Sequence, residues 1–231
     1  ALVNSTVSGN FGVGLNDGGG IANSGMLTLI SSTVCNNQVM CGFGDYGMGG
    51  GIVNRDSGDV CARNSIIANN TGSQGHDLFG TFCSQGHNLV GNTQGVSWAE
   101  GVAGDLLGVD PMLGPLRDNG GLAWTHALVE GSPAIDAGSS AGAPAFDQRW
   151  RPRPCDDPTI PNAADGTDIG AFEWRSPEAC WRGIIRRLIA RVQSESNTIE
   201  LVISGEPGEV LTIEASEDLR TWSKIDTLTL P

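Results

Sequence analysis

Gly138-Ser139-Ser140-Ala141-Gly142 matches G-x-S-x-G. In an α/β-hydrolase that pattern sets a nucleophilic serine on a strained strand-to-helix elbow. His126 and Asp136 lie near in sequence and would complete a Ser140-His126-Asp136 triad if the loops fold together. No central parallel sheet or following helix is legible around the motif, and Ala143-Pro144 comes next. A Gly/Ser/Ala-rich loop also produces the pattern by composition, and that reading is favoured.

The remaining titratable candidates are histidines and acids. His76 and His87 occupy twin phrases, Ser73-Gln74-Gly75-His76-Asp77 and Ser84-Gln85-Gly86-His87-Asn88. They read as stacked turn residues, with a general base or metal ligand as the alternative. Asp45, Asp56, Asp59 and Asp77 could share one face, and glycoside cleavage needs two carboxylates about 5–10 Å apart. Solvated turn carboxylates are the simpler reading. Asp156, Asp157, Asn162, Asp165 and Asp168 crowd one loop. Their hard oxygens would suit Ca²⁺, with Asp165 and Asp168 as the candidate ligands, although EF-hand spacing is absent. No cofactor is otherwise required. Trp124 and Trp150 are the aromatics placed to stack on a ligand such as a sugar ring.

The elements that must position these residues are repeats. Asn4-Ser5-Thr6-Val7-Ser8-Gly9-Asn10 returns as Ser31-Ser32-Thr33-Val34-Cys35-Asn36-Asn37 and as Asn64-Ser65-Ile66-Ile67-Ala68-Asn69-Asn70. Gly-Gly-Gly-Ile-Ala/Val-Asn occurs at Gly18 to Asn23 and at Gly49 to Asn54. Two phrases sharing an imperfect period of about 30 residues mean one structural unit repeated. Each phrase is a short β-prone core closed by Asn or Gly, residues that tolerate tight turns. Residues 1–95 carry no helical periodicity. A propeller blade would need a longer period and longer strands. The expected architecture is all-β: a right-handed parallel β-helix, or solenoid, whose strands stack at about 4.8 Å. Ala1 leads straight into a repeat phrase, so the chain is expected to begin inside the solenoid, with an N-terminal cap and further coils preceding it.

Beyond the repeats the composition changes. Residues 96–175 gain Pro, Gly, Asp and aromatics and read as a loop-rich C-terminal wrap, with short strands at Ala127–Val129 and Ile169–Glu173. Residues 176–193 read as an amphipathic helix, with Ser176-Pro177-Glu178 as its start and Trp181, Ile184, Ile185, Leu188 and Val192 on one face. Its arginines point to packing on an acidic surface rather than to a membrane. Residues 194–231 alternate like strands and read as a partial β-sandwich-like module.

Residues 1–95 resemble the parallel β-helix repeats of secreted and surface-anchored bacterial proteins, and their phrases look like those of polymorphic outer-membrane proteins. The following block is more specific. It runs Gly104-Asp105-Leu106-Leu107-Gly108-Val109-Asp110-Pro111, Leu113-Gly114-Pro115-Leu116-Arg117-Asp118-Asn119-Gly120-Gly121, Gly131-Ser132-Pro133-Ala134-Ile135-Asp136-Ala137-Gly138, Asp147-Gln148-Arg149 and Asp168-Ile169-Gly170-Ala171-Phe172-Glu173. That order resembles the C-terminal end of β-helix proteins of the "choice-of-anchor Q" type. The resemblance implies surface attachment and supplies no agreed catalytic residues.

Charge narrows the partners. Thirteen basic and 26 acidic residues give a net charge of −13. This disfavours nucleic acid and anionic membranes and fits an extracellular or cell-surface protein. No apolar run reaches the roughly 20 residues of a membrane span. Six cysteines without a CxxC argue against a zinc cluster. Cys35–Cys41, Cys61–Cys83 and Cys155–Cys180 would be the disulfides most local in sequence, and buried free thiols are the alternative. The functional expectation is a secreted or surface-displayed β-helix protein acting in adhesion or carbohydrate binding. The alternative is an enzyme, either a polysaccharide lyase or hydrolase or a serine ester hydrolase built on Ser140.

Overall fold

A computed structural model describes residues 1–13, 18–40, 47–98, 102–157, 159–174, 187–193, 198–204, 210–215 and 223–229. The described residues are all-β and contain no helix. The chain divides into two compact units, Ala1–Arg175 and Ser176–Pro231.

In the first unit the sequence repeats lie side by side as parallel strands. A five-stranded sheet takes Thr6–Ser8, Thr33–Cys35, Ile66–Ala68, Leu89–Val90 and Leu106–Leu107 in chain order. Equivalent repeat positions are in register, as in Thr6 with Thr33 with Ile66 with Leu89. A seven-stranded sheet is built from Leu2–Val3, Met26–Ile30, Asp59–Arg63, Leu78–Ser84, Ile52–Asn54 and Ile21–Asn23, with Val96–Trp98 added to Leu78–Ser84. The long strand Leu78–Ser84 joins its two halves. It pairs through Leu78 and Phe79 with Ile52 and Val53, and through Cys83 and Ser84 with Cys61 and Ala62. Phe11–Val13 pairs with Gln38–Met40.

Turn chemistry explains why such short strands hold together. Asn4, Ser31, Asn64 and His87 all take the left-handed conformation, with φ of 46°, 46°, 47° and 54°. Each precedes a polar residue that bonds to the next repeat. Ser5 N donates to Ser32 Oγ, Ser32 N to Ser65 Oγ, Ser65 N to Asn88 Oδ1 and Asn88 N to Asp105 Oδ1, across separations of 27, 33, 23 and 17 residues. A second ladder runs from Asn10 Nδ2 to Asn37 Oδ1, Asn37 Nδ2 to Asn70 Oδ1 and Asn70 Nδ2 to Asp77 Oδ1, at 2.9, 2.9 and 2.8 Å. Buried polar groups are thereby satisfied along the stacking direction.

The Gly-Gly-Gly-Ile phrase serves this second ladder. A Cβ on Gly20 would lie 2.9 Å from the Asn37 amide, and one on Gly51 would lie 2.7 Å from Asn70 Nδ2. At the third repeat Ile21 and Ile52 are matched by Leu78, so Asp77 stands in the glycine's place and its carboxylate closes the ladder.

The five-stranded sheet is buried on both faces. Val34, Ile67 and Val90 join Leu29, Ile52, Leu78 and Phe82 in one core. Ile66, Ala68 and Leu89 join Leu128, Ala134, Ile135, Ile169 and Phe172 in a second. Burial on both sides accounts for the unbroken apolar run Ile66-Ile67-Ala68.

Residues beyond 107 cover this sheet. Leu113–Arg117 and Thr125–Leu128 form an antiparallel pair that contains part of the strand expected at Ala127–Val129. The strand expected at Ile169–Glu173 is absent. The N–H groups of Ala171, Glu173 and Trp174 instead donate to Thr33 Oγ1, Asp147 Oδ2 and Asp168 Oδ2, at 3.0, 3.0 and 2.5 Å. Side-chain acceptors thus replace a strand ladder.

The second unit consists, as far as it is described, of two antiparallel pairs. Arg187–Gln193 pairs with Thr198–Ser204, and Val210–Ala215 pairs with Ser223–Thr229. This corrects the helix expected over 176–193: its last seven residues are a strand. Ile189 and Val192 are β-branched, and the register sets Arg191 opposite Glu200, so strand propensity and pairing outweigh the helical spacing. Residues 176–186 lie outside the described residues.

The cysteine expectations are partly overturned. Cys35, Cys61 and Cys83 are unbridged, although Cys61 and Cys83 are register partners on adjacent strands. Cys35 is buried against Ser8 in the five-stranded sheet. Cys155 is disulfide-bonded. Cys41 and Cys180 lie outside the described residues.

Candidate functional site

The serine, histidine and aspartate of the expected triad are held by separate partners. Ser140 Oγ donates to Asp165, and Ser140 N donates to Asp165 Oδ2 at 2.9 Å. His126 is buried, with Nε2 2.7 Å from Ser8 Oγ and Nδ1 2.7 Å from Gly114 O. Since a carbonyl only accepts, Nδ1 carries the proton and Nε2 accepts from the Ser8 hydroxyl. Asp136 is fully buried and accepts from Asp157 N at 3.1 Å. The triad is therefore not formed.

The G-x-S-x-G loop has a packing role. Asn64 and Ser139 exchange amide and backbone hydrogen bonds, which fasten the loop to the left-handed corner of the third repeat. A Cβ on Gly138 would lie 2.8 Å from Thr167 O, and one on Gly142 would collide with Arg63 Nη1. Close approach to backbone explains Gly138, and a φ of 76° explains Gly142, with no elbow required.

The expected Ca²⁺ ligands are also engaged with protein donors. Asp165 accepts from Ser140 and Thr167. Burial pushes its pKa up, but these hydrogen bonds outweigh it and hold the group below its ordinary value. Asp168 accepts from Asp136 N and Trp174 N. Among the described residues no three His, Cys, Asp or Glu side chains converge as a metal would require. Of the acids expected to pair in a groove, Asp77 is buried in the asparagine ladder, Asp56 sits at φ 52° in a turn, and Asp45 lies outside the described residues.

Behind Asp168 lies a buried charge cluster that positions the surface. Arg153 pairs with Glu173 at 2.6 Å, and both side chains are fully buried. Arg149 pairs with Asp147 at 2.7 Å and stacks over the Phe172 ring at 3.4 Å. Burial pushes Glu173 up to about 8, partly offset by Arg153, and pushes Asp168 up to about 7.

Asp147 shapes an aromatic groove. Its Oδ1 accepts from Arg149 N and Arg151 N at 2.7 and 2.9 Å, and its carbonyl accepts from Trp150 N at 3.0 Å. That turn presents Trp150 outward, 69% exposed and at φ 63°. A positive φ is rare for a bulky residue and is held here by the buried Asp147–Arg149 pair. Phe146 stands 6.0 Å from Trp150, ring to ring, tilted at 46°. The two rings, Asn4, Pro144, Asp147 and Gln148 line a groove of about 320 Å³. Asn4 Nδ2 donates to Phe146 O, and Thr6 Oγ1 donates to Gln148 Oε1, both at 2.6 Å, so the groove is tied to the first repeat. Trp124 is also exposed but does not line the groove.

Sequence reasoning singled out Trp150 and missed Phe146, Asn4 and Gln148. Asp147-Gln148-Arg149-Trp150 was the available signal, because a carboxylate two residues before an arginine can close a tight turn. No family model, curated protein or solved structure matches the chain.

Proposed function

We propose that the chain is a right-handed parallel β-helix protein of the choice-of-anchor Q type, secreted or displayed at a bacterial surface, that binds carbohydrate. In-register parallel strands from successive repeats, joined by stacked serine and asparagine ladders, support the β-helix reading. The net negative charge and the order of the wrap motifs support the extracellular reading. The observation that carries glycan binding is Trp150. It is an exposed indole, pinned in a left-handed turn beside a second ring and flanked by the polar side chains of Asn4 and Gln148. An aromatic face packs against the apolar face of a sugar while neighbouring amides bond its hydroxyls. Adhesion follows if the glycan belongs to another cell or matrix.

The enzymatic readings lack an equivalent observation. Ser140 is bound to Asp165 rather than to a histidine, and Asp77 is buried in a ladder.

Migration of the full chain through native gels containing soluble neutral and acidic polysaccharides tests the proposal. Retardation by at least one polysaccharide, lost in Trp150→Ala and Phe146→Ala but kept in Trp124→Ala, is the expected result. Absence of retardation, or equal retardation of Trp150→Ala, would refute it.

A further inference from the structure

We infer that a second cavity, lined by Arg63, Gln85, His87 and Ser139, seats the carboxylate or sulfate group of an acidic glycan. The cavity holds about 240 Å³ and is closed on its other sides by Gly86, Val102, Ala103 and Ala141. Among the described residues its ionisable lining groups are one arginine and one histidine. In a chain of net charge −13 that is a local reversal of sign. The site rests on the glycan-binding reading for the identity of the molecule that carries the anion. The anion seat itself stands on separate residues.

Arg63 is placed and left underused. Its Nη1 donates to Ala141 O at 2.7 Å, which fixes the guanidinium against the wrap. Its Nε is buried without a hydrogen-bond partner. Among the described residues no carboxylate pairs with it, whereas Arg149 and Arg153 each have one. Among the described residues Arg63 Nη2 makes no hydrogen bond either, and the N–H groups of that nitrogen suit an oxyanion acceptor. Gly142, at φ 76°, leaves room for Arg63 Nη1, which would have to shift to admit a Cβ there.

The other lining groups add polar contacts. His87 takes the left-handed corner position that Asn64 takes in the preceding repeat. Its Nδ1 donates to Ala137 O at 2.9 Å, so the ring is oriented and Nε2 is the nitrogen left for a ligand. Ser139 Oγ accepts from Ala141 N at 3.2 Å, which leaves its own proton to donate. Gln85 is exposed; its backbone N donates to Ala62 O at 2.8 Å, and among the described residues its side-chain amide makes no hydrogen bond. The stretch of wrap that begins at Ser139, fastened to Asn64, reaches Phe146, fastened to Asn4. The anion seat and the aromatic groove thus flank one segment, and a single polysaccharide chain laid along it would meet both.

The test is titration of the full chain with sodium sulfate, polygalacturonate, dextran sulfate and neutral dextran. It compares wild type with Arg63→Gln, Arg63→Lys and Trp150→Ala, each first checked for an unchanged melting temperature. Acidic glycans are expected to bind more tightly than dextran, and more weakly as salt rises. Arg63→Gln should lose roughly tenfold to a hundredfold of that affinity, the worth of one charge-assisted hydrogen bond, with dextran binding unchanged. Arg63→Lys should recover part of it. The polygalacturonate and dextran sulfate arms identify the anion. If Arg63→Gln binds acidic glycans as wild type does while Trp150→Ala does not, the anion seat is refuted and the glycan reading stands. If sulfate binds in an Arg63-dependent way and no glycan binds, the seat stands and the glycan reading falls.

Discussion

Asn70 donates its side-chain amide to the Asp77 carboxylate at 2.8 Å, and the same oxygen accepts Asn70 N at 2.9 Å. The asparagine ladder that starts at Asn10 ends there on an acceptor-only group. Asp77 Oδ2 then accepts Asn92 N at 2.7 Å, which ties the ladder to the next turn. Burial raises the Asp77 pKa against the lowering effect of these hydrogen bonds.

The glycines facing this ladder should therefore not tolerate a side chain. In Gly51→Ala the new Cβ would lie 2.7 Å from Asn70 Nδ2 and 2.5 Å from Asp77 O. Overpacking against buried groups costs about 1–3 kcal/mol. Gly25 has nothing within 4 Å of an added Cβ. Urea unfolding should show a lowered midpoint for Gly51→Ala and a near-unchanged one for Gly25→Ala. Equal midpoints would remove the ladder's steric requirement.

Arg153 and Glu173 hold the wrap closed from inside. Arg153 Nη2 also donates to Gly170 O at 2.6 Å, and Glu173 Oε1 accepts Cys155 N at 2.8 Å. Removing Arg153 leaves buried acceptors of Glu173, Asp168 and Gly170 without their donor, at about 1–3 kcal/mol each. Arg153→Ala should lower stability by that order in denaturant melts. Arg117→Ala, which removes an exposed side chain bonded to Asn119, should lower it by less than about 1 kcal/mol.

The same cluster gives stability a downward slope in alkali. Asp168 and Glu173 are raised to about 7 and about 8 from ordinary values of 3.8 and 4.5. Between those limits the folded state binds more protons than the unfolded one, so stability falls as pH rises. The contribution is complete below the ordinary carboxylate range and lost as pH passes through 7 to 8. Melting temperature should fall by on the order of 5 °C or more between pH 6 and pH 9. Glu173→Gln, already neutral, should flatten that slope.

Thiol reactivity should follow burial. Cys83 is exposed and should react first with iodoacetamide. Cys61, pushed up to about 11 by burial and by its neighbour Cys83, should react slowly. Cys35, pushed up to about 12 by burial, should stay unmodified until the chain unfolds. Peptide mass spectrometry reads each rate, and labelling of native Cys35 as fast as Cys83 would contradict the packing around Ser8.

Much of this fold was legible because the repeat phrases carry the turn chemistry on their surface. Asn and Gly at the corners, and short β-branched cores between them, are local signals. Leu106–Leu107 was harder to read as a continuing strand, because the repeat shortens and Ser5, Ser32 and Ser65 give way to Asn88 and Asp105. The strand at Arg187–Gln193 carried a helical spacing that long-range pairing overrode. Proximity of Ser140, His126 and Asp136 in the sequence left a triad open, because it says nothing of which partner each side chain finds. Arg63 was silent for the opposite reason: its significance comes from Gly142, Ala141 and His87, brought to it from distant positions.

The most direct test of glycan binding at Trp150 is hydroxyl-radical footprinting of the full chain, with and without the polysaccharide that retards it. Trp150 and Phe146 should be protected by the glycan, while Trp124, equally open to solvent, should be oxidised at the same rate in both states. Unchanged oxidation of Trp150, or protection of Trp124 in its place, would contradict the assignment.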